Sequence, residues 1–220
     1  MEIVQALTNV DNRLLKAING ARNEMPDTVM FIVSDKLAWF PFLMVLLVMV
    51  FCHLAFRHAI LCFWAAVICV TLTDQVVSGF PKPSVCRILP SHPDNPQSAS
   101  IQPVNVYPRG LYVFSSIHAA NSAAFVMFGW LTLRRHLSTL LLAGWSGLIC
   151  SSRIYLGVHY PTDILAGIVV GLISAYGAYA FYLLLIRIRV ARRHPAAESE
   201  VHRNWFWRVI SLPHKSFILQ

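Results

Sequence analysis

One stretch of the chain reads Ser152-Arg153, then five residues, His159, then three residues, Asp163. Pro161 suits the first turn of a helix, which places Asp163 in that same turn. Four positions from His159, the Asp163 carboxylate can hydrogen-bond one imidazole nitrogen. The other nitrogen then stays free and nucleophilic, as a base does when an acid orients it. Arg153, at the end of the preceding apolar run, can grip an oxyanion through paired N–H donors.

A second group lies in Phe114-Ser115-Ser116-Ile117-His118-Ala119-Ala120-Asn121. Ser115 or Ser116 can cap an apolar helix that begins here, with His118 in its first turn. A helix start offers free backbone N–H groups and the positive end of the dipole, which suits phosphate. A histidine there can protonate a leaving oxygen. The third group is Lys82 and Arg87, in Pro81-Lys82-Pro83-Ser84-Val85-Cys86-Arg87. Two prolines argue against a helix, and two cations on an ordered loop can reach an anion. Plainer readings stand beside these: a helix cap for His159 and Asp163, a packing hydrogen bond for His118, interface anchors for Lys82 and Arg87. Two histidines and an aspartate are also a zinc donor set, but neighbouring cations oppose a dication, so no metal is expected.

Such groups need a scaffold, and the composition says which kind. Hydrophobic residues make up 56% of the 220 positions and charged residues only 13%; mean hydropathy is +0.57. A soluble domain carries about 25% charged residues, so ordinary soluble, disordered and disulfide-stapled classes are excluded. Five apolar runs fit an all-α integral membrane bundle of about five transmembrane helices: Leu37 to Phe56, Ala59 to Val77, Ile117 to Leu133, Leu137 to Ser152 and Pro161 to Ile186. Glycine and alanine in the last run suit close helix packing in lipid. The net charge is +8, but the basic residues flank apolar runs, so membrane orientation explains them and no nucleic acid partner is expected. The five cysteines form no CxxC pair and read as small hydrophobes. No cleavable signal peptide is expected at the N-terminus.

Ile3, Ala6, Leu7, Val10, Leu14 and Ile18 fall on one helical face, with Asp11, Arg13 and Lys16 mainly elsewhere. An amphipathic helix is expected, on the membrane surface or capping the bundle, stopped at Asn19-Gly20. Pro26 to Ser34 would then lead into the first span. The turns at Arg57-His58 and Arg134-Arg135-His136, and the segment Arg187 to Arg193, share one side by parity, and their charge makes that side cytoplasmic. All three candidate groups then face outward. The stretch from Pro81 to Arg109 holds prolines at 83, 90, 93, 96, 103 and 108 and reads as a functional loop. Residues 1–190 are expected to form the membrane domain. Residues 191–220, with Trp205-Phe206-Trp207, form a basic and aromatic cytoplasmic tail at the inner leaflet.

These blocks resemble those of the type 2 phosphatidic acid phosphatases, membrane relatives of the vanadium haloperoxidases. That family carries Lys-x6-Arg-Pro, Pro-Ser-Gly-His and Ser-Arg-x5-His-x3-Asp. The third block is complete as Ser152, Arg153, His159 and Asp163. The second is altered to Ser115-Ser116-Ile117-His118, and the first keeps Lys82 and Pro90 but has Leu89 in place of arginine. The resemblance covers roughly Asp74 to Gly167. It implies a metal-independent, cofactor-free membrane phosphatase of lipid phosphates. In it His159 attacks phosphorus to form a phosphohistidine, Asp163 orients His159, and His118 protonates the leaving alcohol and later activates water. Lys82, Arg153 and Ser116 would hold phosphate oxygens. Leu89 removes one cation, worth on the order of 3 kcal/mol in such a site, and Arg87 or Arg109 is expected to replace it. The substrate would be a lipid phosphomonoester or pyrophosphate, such as phosphatidic acid, a polyprenyl pyrophosphate or the phosphates of lipid A. It would be met on the outer side of a bacterial-type inner membrane. The rivals are a lipid phosphotransferase and a catalytically impaired protein that binds an anionic headgroup.

Overall fold

The computed structural model describes residues 2–21, 23–35, 37, 39–79, 87–103 and 114–193. Among them are seven α-helices: α1 (Glu2–Gly20), α2 (Glu24–Ser34), α3 (Trp39–His53), α4 (Phe56–Gly79), α5 (Ile117–Leu133), α6 (His136–Tyr155) and α7 (Pro161–Arg193). Helices α3 to α7 match the five expected apolar runs. Three segments are long and apolar enough to cross a membrane: Phe56–Gly79, His136–Tyr155 and Pro161–Arg189. Helix α3 has only 15 residues and α5 only 17. Seventeen residues rise about 25 Å, a little less than the ~30 Å hydrocarbon core. Helix α5 meets this by lying inside the bundle, with most of its side chains buried between α4, α6 and α7.

The core is a seam of small residues. Ala59, Cys62, Ala65 and Cys69 recur at helical spacing on one face of α4. They meet Ala124, Phe128 and Leu131 of α5 and Ala175, Ala178 and Tyr182 of α7. Helices α5 and α7 pack nearly backbone to backbone: a Cβ added at Gly171 would lie 2.1 Å from the Ala120 carbonyl oxygen, and one at Gly167 would lie 2.6 Å from that of Ser116. In lipid, such close approach supplies the attraction that water would otherwise provide through burial. The opposite face of α7 shows Leu165, Val169 and Ile173 outward, as a lipid-facing surface requires. Cys62, Cys69 and Cys150 are buried, free thiols that pack as small hydrophobes.

At the N-terminal end, Pro26 to Ser34 leads toward the first span as part of a separate helix, α2, capped by the Asn23 side chain, which accepts from Glu24 N at 2.8 Å. Helix α1 is turned from its expected face. Leu7, Val10 and Leu14 are about half exposed, whereas Asp11, Leu15 and Asn19 are buried. The reason is polar. Asn19 donates to the carbonyls of Tyr155 (2.7 Å) and Gln102 (3.0 Å), and its oxygen accepts from Gln102 N at 2.9 Å. The Asp11 carboxylate accepts from Thr162 N at 3.0 Å. These bonds dock α1 onto the start of α7 and the end of α6, so it does cap the bundle, but with its polar residues inward. The expected aromatic tail, including Trp205 to Trp207, lies outside the described residues, as do Lys82, Cys86 and Arg109.

Candidate active site

The starts of α5 and α7 and the end of α6 lie at one end of the bundle. Ser116 caps α5, its hydroxyl accepting from Ala119 N, and its own N–H donates to the Asp163 carbonyl at 3.1 Å. This single bond ties the turn that carries His118 to the turn that carries His159 and Asp163. His118 packs edge-on against Trp39 at the start of α3, with ring centroids 5.8 Å apart. Ser115, immediately before the cap, has φ +63°. Proline, which the resemblance would put here, is locked near −65° and cannot adopt that backbone. Its absence is a requirement of this path into the helix.

His159 sits in the five-residue turn between α6 and α7, 8% exposed. Gly157 has φ +72°, and an added Cβ would press within 2.7 Å of the Ile101 side chain, so only glycine closes the turn here. His159 Nδ1 faces Asp163 Oδ2 at 3.7 Å. Asp163 is fully buried. Its Oδ2 also accepts from Tyr160 N at 2.9 Å, a third-position carboxylate closing back on the helix cap. Asp163 thus closes the helix start and stands close to the imidazole, though at 3.7 Å it is beyond hydrogen-bond reach of Nδ1. Arg153, in the last turn of α6, donates from Nη1 to the Ser34 hydroxyl of α2. Among the described residues its buried Nε has no hydrogen-bond partner, and neither has Ser115 Oγ.

Arg87 was expected to hold phosphate, and the structure brings it to the site on the carboxylate side. Its Nη2 pairs with Asp11 Oδ2 at 2.6 Å, and its Nη1 donates to Thr162 Oγ1 at 2.7 Å and lies 3.4 Å from Asp163 Oδ1. The guanidinium stacks 3.6 Å from the centre of the Tyr160 ring. Burial pushes the Tyr160 phenol above the ordinary tyrosine value, against the opposing pull of the Asn95 hydrogen bond and of Arg87. Asn95 donates to the Tyr160 hydroxyl at 2.9 Å and to the Leu89 carbonyl at 3.0 Å, which fixes the loop over the site. Leu89 is itself buried in that loop. Asp74 accepts from Asn121 Nδ2 at 2.8 Å, linking the end of α4 to α5. Sequence reasoning missed Asp11, Thr162 and Asn95. Asp11 lies 151 positions from Thr162, so spacing carried no signal of their contact.

The profile of the PAP2 superfamily matches residues 63–187. A lipid A 4'-phosphatase of Bacteroides thetaiotaomicron is 29% identical over 182 residues, covering 83% of this chain and 80% of its own. A lipid A 4'-phosphatase of Porphyromonas gingivalis is 30% identical over 200 residues, covering 90% of this chain and 84% of its own. The crystal structure of Aquifex aeolicus LpxE superposes with a TM-score of 0.51 at 20% identity, over 76% of this chain and 93% of that one. That of the first transmembrane PAP2 type phosphatidylglycerolphosphate phosphatase from Bacillus subtilis gives 0.54 at 17% identity, over 80% and 86%. The chain belongs to the PAP2 superfamily. It is a membrane lipid phosphatase, a hydrolase of phosphoric esters.

Proposed function

We propose that the chain removes a phosphate group from lipid A or a closely similar lipid, through a phosphohistidine and without a metal. His159 Nε2 attacks phosphorus while Asp163 holds the Nδ1 proton. The bond to the leaving oxygen breaks, and His118 donates the proton that the departing alcohol needs. His118 then takes a proton from water, whose oxygen attacks phosphorus, and the P–N bond breaks to release phosphate and restore His159. Arg153, Ser116 and Lys82 hold the phosphate oxygens. Arg87 adds positive charge at the edge of the same site. Such a reaction is mostly positioning and charge stabilisation, which fixed cations supply.

The observation that carries this reading is the bond from Ser116 N to the Asp163 carbonyl, which sets both histidine turns side by side. The buried Nε of Arg153, which has no partner among the described residues, adds to it, because such a donor suits an anionic ligand. The two relatives named as lipid A 4'-phosphatases favour that lipid. The basic turns at the far end favour an inner membrane with the site on the periplasmic side.

The test uses the full chain in detergent, with EDTA present, and measures phosphate release from lipid A and from short-chain phosphatidic acid. Release that survives EDTA and falls roughly a thousandfold or more in His159→Ala supports the reading. Equal release by His159→Ala would overturn the nucleophile, and loss in EDTA would overturn metal independence. Faster release from phosphatidic acid would overturn the choice of lipid.

A further inference from the structure

Asp11 plays no part in the chemistry described so far, and it comes from the opposite end of the sequence. The residue is nonetheless 2% exposed, and its carboxylate makes two contacts at the start of α7 and a third to Arg87 in the loop. Oδ1 accepts from Thr162 N at 3.0 Å, and Oδ2 accepts from the Thr162 hydroxyl and from Arg87 Nη2. Arg87 then reaches Asp163 Oδ1 at 3.4 Å, and Asp163 Oδ2 faces His159 Nδ1 at 3.7 Å. Charges alternate along this row: carboxylate, guanidinium, carboxylate, imidazole.

We propose that Asp11 and Arg87 are positioning residues for His159, which act through Asp163 by setting how much negative charge the imidazole meets. The proposal rests on His159 being the nucleophile. Asp163 is fully buried, so its charge is not spread into water, and every neighbour that shares it matters. Arg87 takes up part of that charge. Asp11 takes up part of the charge of Arg87 and so returns some of the Asp163 field to His159. Helix α1 thereby belongs to the catalytic apparatus, although none of its residues touches the reacting phosphorus.

An alternating row predicts shifts of opposite sign. Among the described residues, the charged and titratable groups at this end of the bundle include Asp11 of α1, Arg87 of the loop, Asp27 of α2, Asp74 of α4, His118 of α5, Arg153 and Tyr155 of α6, and Tyr160 and Asp163 at the start of α7. Only the first two are changed in the test. With Arg87→Gln, Asp163 acts on His159 unopposed, the imidazole holds its proton to higher pH, and the acid limb of kcat/KM moves up. With Asp11→Asn, Arg87 turns wholly to Asp163, the imidazole loses its proton earlier, and the acid limb moves down. Each shift should reach roughly half a pH unit or more. Arg87→Lys keeps the charge and should restore most of the wild-type limb.

The experiment records pH–rate profiles of the full chain in detergent, alongside histidine-selective NMR titrations of His159 in the same variants. The titration needs no turnover, so it reads the proposal even if the hydrolytic reading fails. Failure of that reading shows separately, as His159→Ala retaining activity. Should Asp11→Asn fail to fold, the contrast between Arg87→Gln and Arg87→Lys decides. Opposite shifts, with rescue by lysine, support the row. Shifts of one sign, or unmoved limbs and titrations with lowered rates, would reduce Asp11 and Arg87 to plain docking contacts and overturn it.

Discussion

Along the seam of α5 and α7 the backbones almost touch, and glycine and alanine do the work: a Cβ at Gly171 would sit 2.1 Å from Ala120 O. A few turns away, over His159, helices α6 and α7 meet α1, α2 and the loop 87–103 through buried polar groups. There Asp11, Asn19, Asn95 and Arg153 each bond across more than 60 positions of sequence. The seam depends on the absence of side chains, whereas the cap depends on particular side chains. The first is rigid because nothing can fit between the backbones. The second is rigid only while each donor has its acceptor, since an unpaired buried polar group is costly.

The sharpest way to break the comparison is Gly171→Leu. The obstacle is main chain and cannot step aside, so destabilisation should exceed about 3 kcal/mol. Size-exclusion chromatography in detergent should show little folded protein; a normal monodisperse peak would mean that the seam is looser than its geometry. A smaller effect is expected at the cap. Asn19→Ala removes the side-chain bonds to the Tyr155 carbonyl and Gln102 N, and should cost about 2 kcal/mol. The protein should still fold, with a lower Tm and a phosphatase rate reduced more than stability alone explains. A fall in Tm with unchanged kcat would separate α1 from the site. The smallest effect should come from Ser115→Gly, which relieves the left-handed backbone and should raise stability by about 1 kcal/mol. Ser115→Pro at the same place should lower it; a gain in Tm there would show that α5 can start along a different path.

The two regions were also unequally legible. The apolar runs gave α3 to α7 almost at their limits, because lipid leaves a long hydrophobic segment few alternatives to a helix. Pro161, Ser116 and the spacing from His159 to Asp163 were equally readable, since each is a local signal set within one or two turns. The cap was not. Asp11 looked like a solvated residue on the polar side of an amphipathic helix, and α1 in fact turns that side inward. What reverses it is Thr162 and Arg87, and no periodicity in residues 2–20 can report partners so far along the chain. Arg87 shows the same limit. Its type and place near the site could be read, but its pairing with Asp11 could not.

One contact high on the seam sets how two helix starts sit against each other. The backbone at Gly167 abuts Ser116, within a turn of both His118 and Asp163. The spacing between the helix start that carries His118 and the one that follows His159 is therefore gauged by main chain, which no change of rotamer relaxes.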